Sequence, residues 1–89
     1  MPTVSQFLGI QIRMFFNEDI HQGRPHFHAV YADAAAVFDA SDSSRLAGEL
    51  PLRAERLVRR WAKAHRRELL ENWERARSGL DLQPIEPLK

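Results

Sequence analysis

The first half of the chain alternates apolar and polar residues, which is the pattern of β-strands. Within residues 3–16, the side chains of Ile10, Ile12 and Met14 are separated by polar or opposite-facing positions. Because successive side chains of a strand point to opposite faces of a sheet, these residues form one apolar row. Gly9 interrupts the run and predicts a bulge or a bend at that point.

Further strands are predicted downstream, each bounded by residues that favour turns. They cover residues 26–31 and 34–40, joined by a short hairpin connection, and a candidate edge strand covers residues 45–49. The first half therefore predicts a small antiparallel sheet of three to four strands.

After Pro51 the spacing of apolar residues changes from two to three and four, which is typical of a helix. Residues 52–78 contain no glycine or proline, and Gly79 follows them as an expected exit residue. The pattern predicts helix over 51–78, either as one long helix or as two consecutive helices broken near residues 64–66. The tail, residues 80–89, carries two prolines and is predicted to be extended.

A sheet followed by helix predicts an α+β fold, in which the helix covers one face of the sheet. At 89 residues the chain has room for a single domain, 1–89. We expect one shared core between the sheet and the helix. Its predicted members are Ile10, Ile12, Leu57, Trp61 and Trp73.

The composition excludes several classes of function. The chain has no cysteine, so disulfides, thiolate zinc sites and thiol catalysis are ruled out. Its longest apolar runs are too short to cross a bilayer, and its first residues lack the pattern of a secretory leader. We therefore expect a cytoplasmic protein that does not enter a membrane, and its oligomeric state stays open.

Three of the four histidines, His21, His26 and His28, fall within eight residues. His26 and His28 lie two residues apart on a predicted strand, so both rings should project from one face. Three imidazoles with an open fourth position are typical of catalytic zinc, which makes this trio a candidate metal site. Alternatively, His26 and His28 are a general acid and base without a metal, or simply the polar side of a strand. Candidate carboxylates nearby are Glu18, Asp19 and Asp39.

The fourth histidine, His65, lies on the apolar stripe of the predicted helix. We expect it in the core or at an interface with one hydrogen-bond partner. The alternative is that His65 approaches the other histidines.

Basic residues recur along the predicted helix at spacings of three and four, which places them on one face. The candidate binding residues are Arg53, Arg56, Arg60, Lys63 and Arg67. Between positions 53 and 67 seven basic residues face a single acidic one, Glu55. Such a face could meet phosphates or a small acidic protein, or it could simply be solvated.

Several short motifs along the chain form a recognisable set. They are Met1-Pro2-Thr3-Val4, Arg13-Met14-Phe15-Phe16, Pro25-His26-Phe27-His28-Ala29, Val37-Phe38-Asp39, Trp61 with His65, Glu68–Trp73 and the closing Pro84–Leu88. In these motifs the chain resembles the small bacterial family catalogued as Domain of Unknown Function 4160. The resemblance implies no established activity. It implies an association with a second small protein, as in a toxin–antitoxin-like pair.

Two hypotheses of different classes follow. The first is a regulatory module that binds a small acidic partner or nucleic acid through the basic face. The second is a small His-dependent enzyme, with or without zinc, that acts on a phosphodiester in the manner of a ribonuclease. In that case His26 and His28 would be its acid and base.

Overall fold

The computed structural model describes residues 3–15 and 24–88, and they form a five-stranded sheet followed by two helices. The strands are β1 (Thr3–Phe7), β2 (Ile10–Arg13), β3 (His26–Tyr31), β4 (Ala34–Asp39) and β5 (Arg45–Glu49). The helices are α1 (Leu52–Ala64) and α2 (Arg66–Arg77). All neighbouring strands are antiparallel, in the order β1-β2-β3-β4-β5. The predicted α+β class is therefore confirmed.

The predicted strand number, three to four, is wrong, because the first predicted strand is a hairpin. Phe7 pairs with Ile10, so Leu8 and Gly9 form a two-residue turn between β1 and β2. Both turn residues have positive φ, +49° at Leu8 and +80° at Gly9. The interruption predicted at Gly9 is real, but it reverses the chain instead of bending it. The candidate edge strand at residues 45–49 is present as β5.

Both helices contact the sheet, α1 through Trp61 and α2 through Trp73. The ring of Trp61 lies 5.5 Å from that of Phe7 and 6.0 Å from that of Phe27, measured between centroids. Ile10 and Ile12 are fully buried beneath the helices. The predicted core is confirmed, with Trp61 and Trp73 buried and Leu57 partly buried against it.

The helical region is divided at His65, which confirms the alternative of two consecutive helices. His65 has a φ of −116° and a ψ of 26°, outside helical geometry. Its Nδ1 lies 2.6 Å from Oε1 of Glu68, and its ring lies 5.4 Å from that of Trp61. The histidine is therefore held on both sides of the break. At the far end, Gly79 has a φ of +72° and ends α2 as predicted.

The residues after α2 fold back over the molecule. Asn72 donates from Nδ2 to the carbonyl of Gln83 and accepts at Oδ1 from the amide of Gln83, both at 2.8 Å. The amide of Ile85 donates to the carbonyl of Val4 at 2.7 Å, on the outer edge of β1. The tail therefore covers that edge of the sheet. Within the described ranges, none of the helices has the length and apolar character that a membrane span requires.

Candidate functional site

His26 and His28 lie on β3 and are in contact, as the two-residue spacing predicts. Their ring centroids are 5.5 Å apart. In the pairing of β3 with β4, His26 lies opposite Asp39 and His28 lies opposite Val37. The register therefore brings one of the predicted carboxylates, Asp39, to the histidines.

The ring of His26 is enclosed by aromatic residues. It is completely buried, and its centroid lies 4.9 Å from the ring of Trp73 and 6.5 Å from the ring of Phe15. Its Nδ1 lies 2.8 Å from the carbonyl oxygen of Arg24. Since a carbonyl can only accept, Nδ1 donates the proton in this hydrogen bond. The ring of His28 stacks on Phe15 at 4.9 Å.

Asp39 is held by charges and hydrogen bonds from two sides. It is buried, and its Oδ2 accepts from Nη2 of Arg24 at 2.7 Å. Its Oδ1 accepts from both the amide and the hydroxyl of Ser41. The carbonyl of Ser41 in turn accepts from Nε of Arg66 at 2.6 Å, which ties α2 to this corner. We define the β3 cluster as Arg24, His26, His28, Asp39 and Ser41.

Arg24 and Ser41 were not among the residues predicted for this site. Ser41 is only two residues from Asp39, in a segment dense in turn-forming residues, so its contact had a local signal. Arg24 is 15 positions from Asp39, and only the pairing of β3 with β4 brings them together. That contact has no signal in residue spacing.

The structure does not test the predicted metal site. Within residues 3–15 and 24–88, no three histidine or acidic side chains are arranged to hold a metal ion. His21, Glu18 and Asp19 lie outside the described residues. Zinc ligation by His21, His26 and His28 therefore stays a prediction, as does acid–base catalysis by His26 and His28.

His65 contacts Glu68 and Trp61 and is half-buried, as expected for a histidine at an interface with one hydrogen-bond partner. These neighbours belong to the helices and not to the β3 cluster.

The predicted basic face lies on the exposed side of the helices. Arg53, Arg56, Arg60 and Lys63 are exposed on α1, and Arg67 is exposed on α2 beyond the break. We call these five residues the cationic face. Among the described residues, none of the five forms an ion pair.

The remaining basic residues of the same segment have partners. Nη1 of Arg59 lies 3.5 Å from Oε2 of Glu55, and Arg66 donates to the carbonyl of Ser41. Glu55, the single acidic residue of the segment, also lies 3.8 Å from Arg45. The acid is thus engaged away from the cationic face.

The two helices contact different residues of β3. α1 packs through Trp61 on the sheet face that carries Phe27, and its exposed side points away from the sheet. His26 and His28 flank Phe27 on β3, so they project from the other face, where the ring of His26 lies 4.9 Å from that of Trp73 of α2. The cation nearest to His28 in register is Arg13 of β2, which lies directly across from it.

Comparison with known families finds one match, to the family described as Domain of unknown function (DUF4160), over residues 9–74. This span covers more than half of the 89-residue chain. The chain belongs to this family. Neither a curated protein nor a solved structure matches it significantly.

The part of the chain that matches DUF4160 contains both candidate sites. Residues 9–74 run from the turn before β2 to near the end of α2, and include the β3 cluster and the cationic face. The tail and all of β1 lie outside the match.

Proposed function

We propose that this protein is a regulatory binding module that docks an anionic partner, a small acidic protein or a nucleic acid, through its cationic face. A pair of toxin–antitoxin type in a bacterial cytoplasm, in which two small proteins bind each other, would supply such a partner. The proposal rests on one observation, the absence of ion pairs at the five cations within the described residues.

This arrangement is unfavourable for an isolated helix. Side chains three and four positions apart are neighbours on a helix surface, and neighbouring like charges repel each other. Arg56 has Arg53, Arg59 and Arg60 at these distances and no acidic residue. An anionic partner would relieve the repulsion and would release counterions if it were a nucleic acid.

The enzyme hypothesis receives less support. His26 is completely buried, and its Nδ1 is engaged by a backbone carbonyl. Four of the five cations that were to stabilise a phosphate belong to α1, which packs on the Phe27 side of β3, whereas His28 projects from the other side. An acid–base pair needs access to substrate, and the burial of His26 argues against that access.

The test measures binding of labelled double-stranded DNA, single-stranded RNA and polyglutamate by fluorescence anisotropy at increasing salt. Reversing the charge at Arg56, Arg60 and Lys63 together should abolish binding to whichever probe binds, and leave the circular dichroism spectrum unchanged. Phosphate contacts typically lose about 10³-fold in affinity between roughly 50 and 200 mM salt, so a nucleic acid partner predicts a steep dependence.

A matched pair of single variants separates the cationic face from net charge. Arg56→Glu and Arg77→Glu make the same charge change on exposed helix positions, but Arg77 is paired with Glu74 at 3.1 Å and lies outside the cationic face. We expect Arg56→Glu to weaken binding several-fold more than Arg77→Glu. Equal effects, binding that ignores salt, or no binding to any probe would refute the proposal.

A further inference from the structure

An apolar pocket adjoins the cationic face where the β1–β2 turn meets the start of α1. Its volume is about 300 Å³, and the residues that line it include Leu8, Tyr31, Pro51, Arg53 and Leu57. This volume is at the lower end for ligand pockets, and suits a single large side chain better than a drug-sized molecule. Arg53 is the one charged residue that lines the pocket, and it is also the first residue of the cationic face.

The stability of the fold does not explain why residue 8 is a leucine. It is the first residue of the β1–β2 turn, and its φ of +49° is in the left-handed region that disfavours a leucine. Two-residue turns with positive φ at both positions prefer Asn-Gly, and here the sequence is Leu-Gly. The Leu8 side chain is also 66% exposed, so it contributes little to the core.

A second exposed leucine lies beside the pocket. Leu52 is 64% exposed and stands between Pro51 and Arg53, which both line the pocket. Leu8 and Leu52 are the two most exposed large apolar residues in the described part of the chain. Clustered exposed apolar side chains of this kind mark interaction sites.

We propose that the pocket and the cationic face together bind an acidic segment of a partner protein that carries a large apolar side chain. This inference rests on the proposed function and names its partner class. The apolar side chain enters the pocket between Leu8, Tyr31 and Leu57. The carboxylates of the same segment then lie along Arg53 and Arg56.

The form of the site favours a protein segment over a nucleic acid or a lipid surface. The pocket is concave, which fits an inserted side chain. A membrane-binding helix inserts its apolar face, and that face of α1, which includes Val58 and Trp61, is buried in the core. Tyr31 is the one aromatic residue that lines the pocket, and its ring already lies against Gly9, with Cε1 at 3.4 Å from where a Cβ on Gly9 would stand. A single aromatic residue provides no row of rings on which successive bases could stack.

The experiment uses two labelled peptides rich in Glu and Asp, one with a central leucine and one with serine in its place. Binding to the full chain is measured by anisotropy, and the contacted residues are located by NMR chemical-shift changes. The leucine peptide should bind about tenfold more tightly or better, because burial of a leucine side chain is worth at least one decade of affinity. It should shift the signals of Leu8, Tyr31 and Leu57, and the serine peptide should shift only the cationic face.

Leu8→Asn is the decisive variant, because asparagine suits the turn and removes the apolar side chain. It should keep or raise the thermal midpoint and weaken binding of the leucine peptide several-fold. The matched control is Leu80→Asn, since Leu80 is also exposed, at 55%, and does not line the pocket. This control should leave the affinity for the leucine peptide unchanged.

The other outcomes overturn the inference in distinguishable ways. Equal binding of the two peptides, with loss in Arg56→Glu, would overturn the pocket's role and keep the proposed function. Tighter binding to RNA, DNA or phosphatidylserine vesicles than to the leucine peptide would overturn the partner class named here. Absence of binding to every one of these probes would overturn both the inference and the proposed function.

Discussion

The β3 cluster and the cationic face differ in what their polar groups contact. In the β3 cluster, Asp39 accepts hydrogen bonds from Arg24 and Ser41, and His26 donates to a backbone carbonyl. The five residues of the cationic face are exposed and form no ion pair with any residue of the described ranges. Both regions are rich in ionisable side chains. Within the described residues, only the β3 cluster has its side chains joined by hydrogen bonds and an ion pair.

This difference separates a structural role from a binding role. Buried polar groups that are hydrogen-bonded stabilise and specify a fold, and their hydrogen-bonding partners are groups of the same molecule. Exposed charges without partners add little to stability and stay available to a ligand. Substitutions in the β3 cluster should therefore change stability, whereas substitutions on the cationic face should change binding. The predictions below test this contrast.

The largest loss of stability is expected at Trp61, behind the cationic face. Its ring is fully buried against Phe7 and Phe27, and its Nε1 donates to the carbonyl of Glu86 at 2.7 Å. Trp61→Ala should lower the free energy of unfolding by about 3–5 kcal/mol, since a cavity replaces a large side chain. That is a large share of the roughly 5–15 kcal/mol typical of a domain.

Chemical denaturation checks this, with Leu52→Ala as the control on the same helix, because Leu52 is 64% exposed. The control should change the free energy of unfolding by less than about 0.5 kcal/mol. If Trp61→Ala unfolds at the same denaturant concentration as the unmodified protein, the helix does not share the core of the sheet.

A smaller but clear loss is expected at His26. Replacement by alanine removes a fully buried ring from between Trp73 and Phe15 and leaves the carbonyl of Arg24 without its donor. His26→Ala should lower the free energy of unfolding by about 2–4 kcal/mol, from the cavity and the lost hydrogen bond together. His28→Ala should cost less, because His28 is only half-buried.

The same denaturation measurement, combined with an assay for cleavage of RNA, compares the structural and catalytic interpretations of His26. A variant that keeps full stability and loses a cleavage activity of the unmodified protein would contradict the structural interpretation and revive the enzyme hypothesis.

The fold class could be predicted from the sequence. The β1–β2 turn and the break between α1 and α2 could not be predicted with the same detail. Alternation and helical periodicity depend on which residues face the core, so they located most strands and the helical region. The β1–β2 hairpin was not predicted, because leucine, the residue at position 8, does not favour the positive φ that the turn requires. The break at His65 has no glycine or proline, and it depends on side-chain contacts to Glu68 and Trp61.

The candidate sites divide in the same way. The exposure of the cationic face followed from spacing alone, because helix geometry fixes which residues share a face. The contact between His26 and His28 followed from strand geometry. The pairing of Arg24 with Asp39 and the pocket beside Leu8 required the register of strands and the placement of α1, which are set by contacts distant in sequence. Local patterns carry no information about such contacts.

The smallest expected effect is a gain of stability instead of a loss, and it tests the cationic face without a ligand. Arg56 has three like-charged neighbours at helical spacing, so Arg56→Gln should raise the free energy of unfolding by about 0.5 kcal/mol at low salt. At 1 M salt the gain should vanish, because the screening length falls to about 3 Å. Arg77→Gln is the control: Arg77 pairs with Glu74 at 3.1 Å, so its loss should slightly lower the free energy of unfolding. Denaturation at both salt concentrations measures these signs. A loss of stability in Arg56→Gln would mean that the Arg56 guanidinium stabilises the fold. It would contradict the interpretation that Arg56 is available to a binding partner.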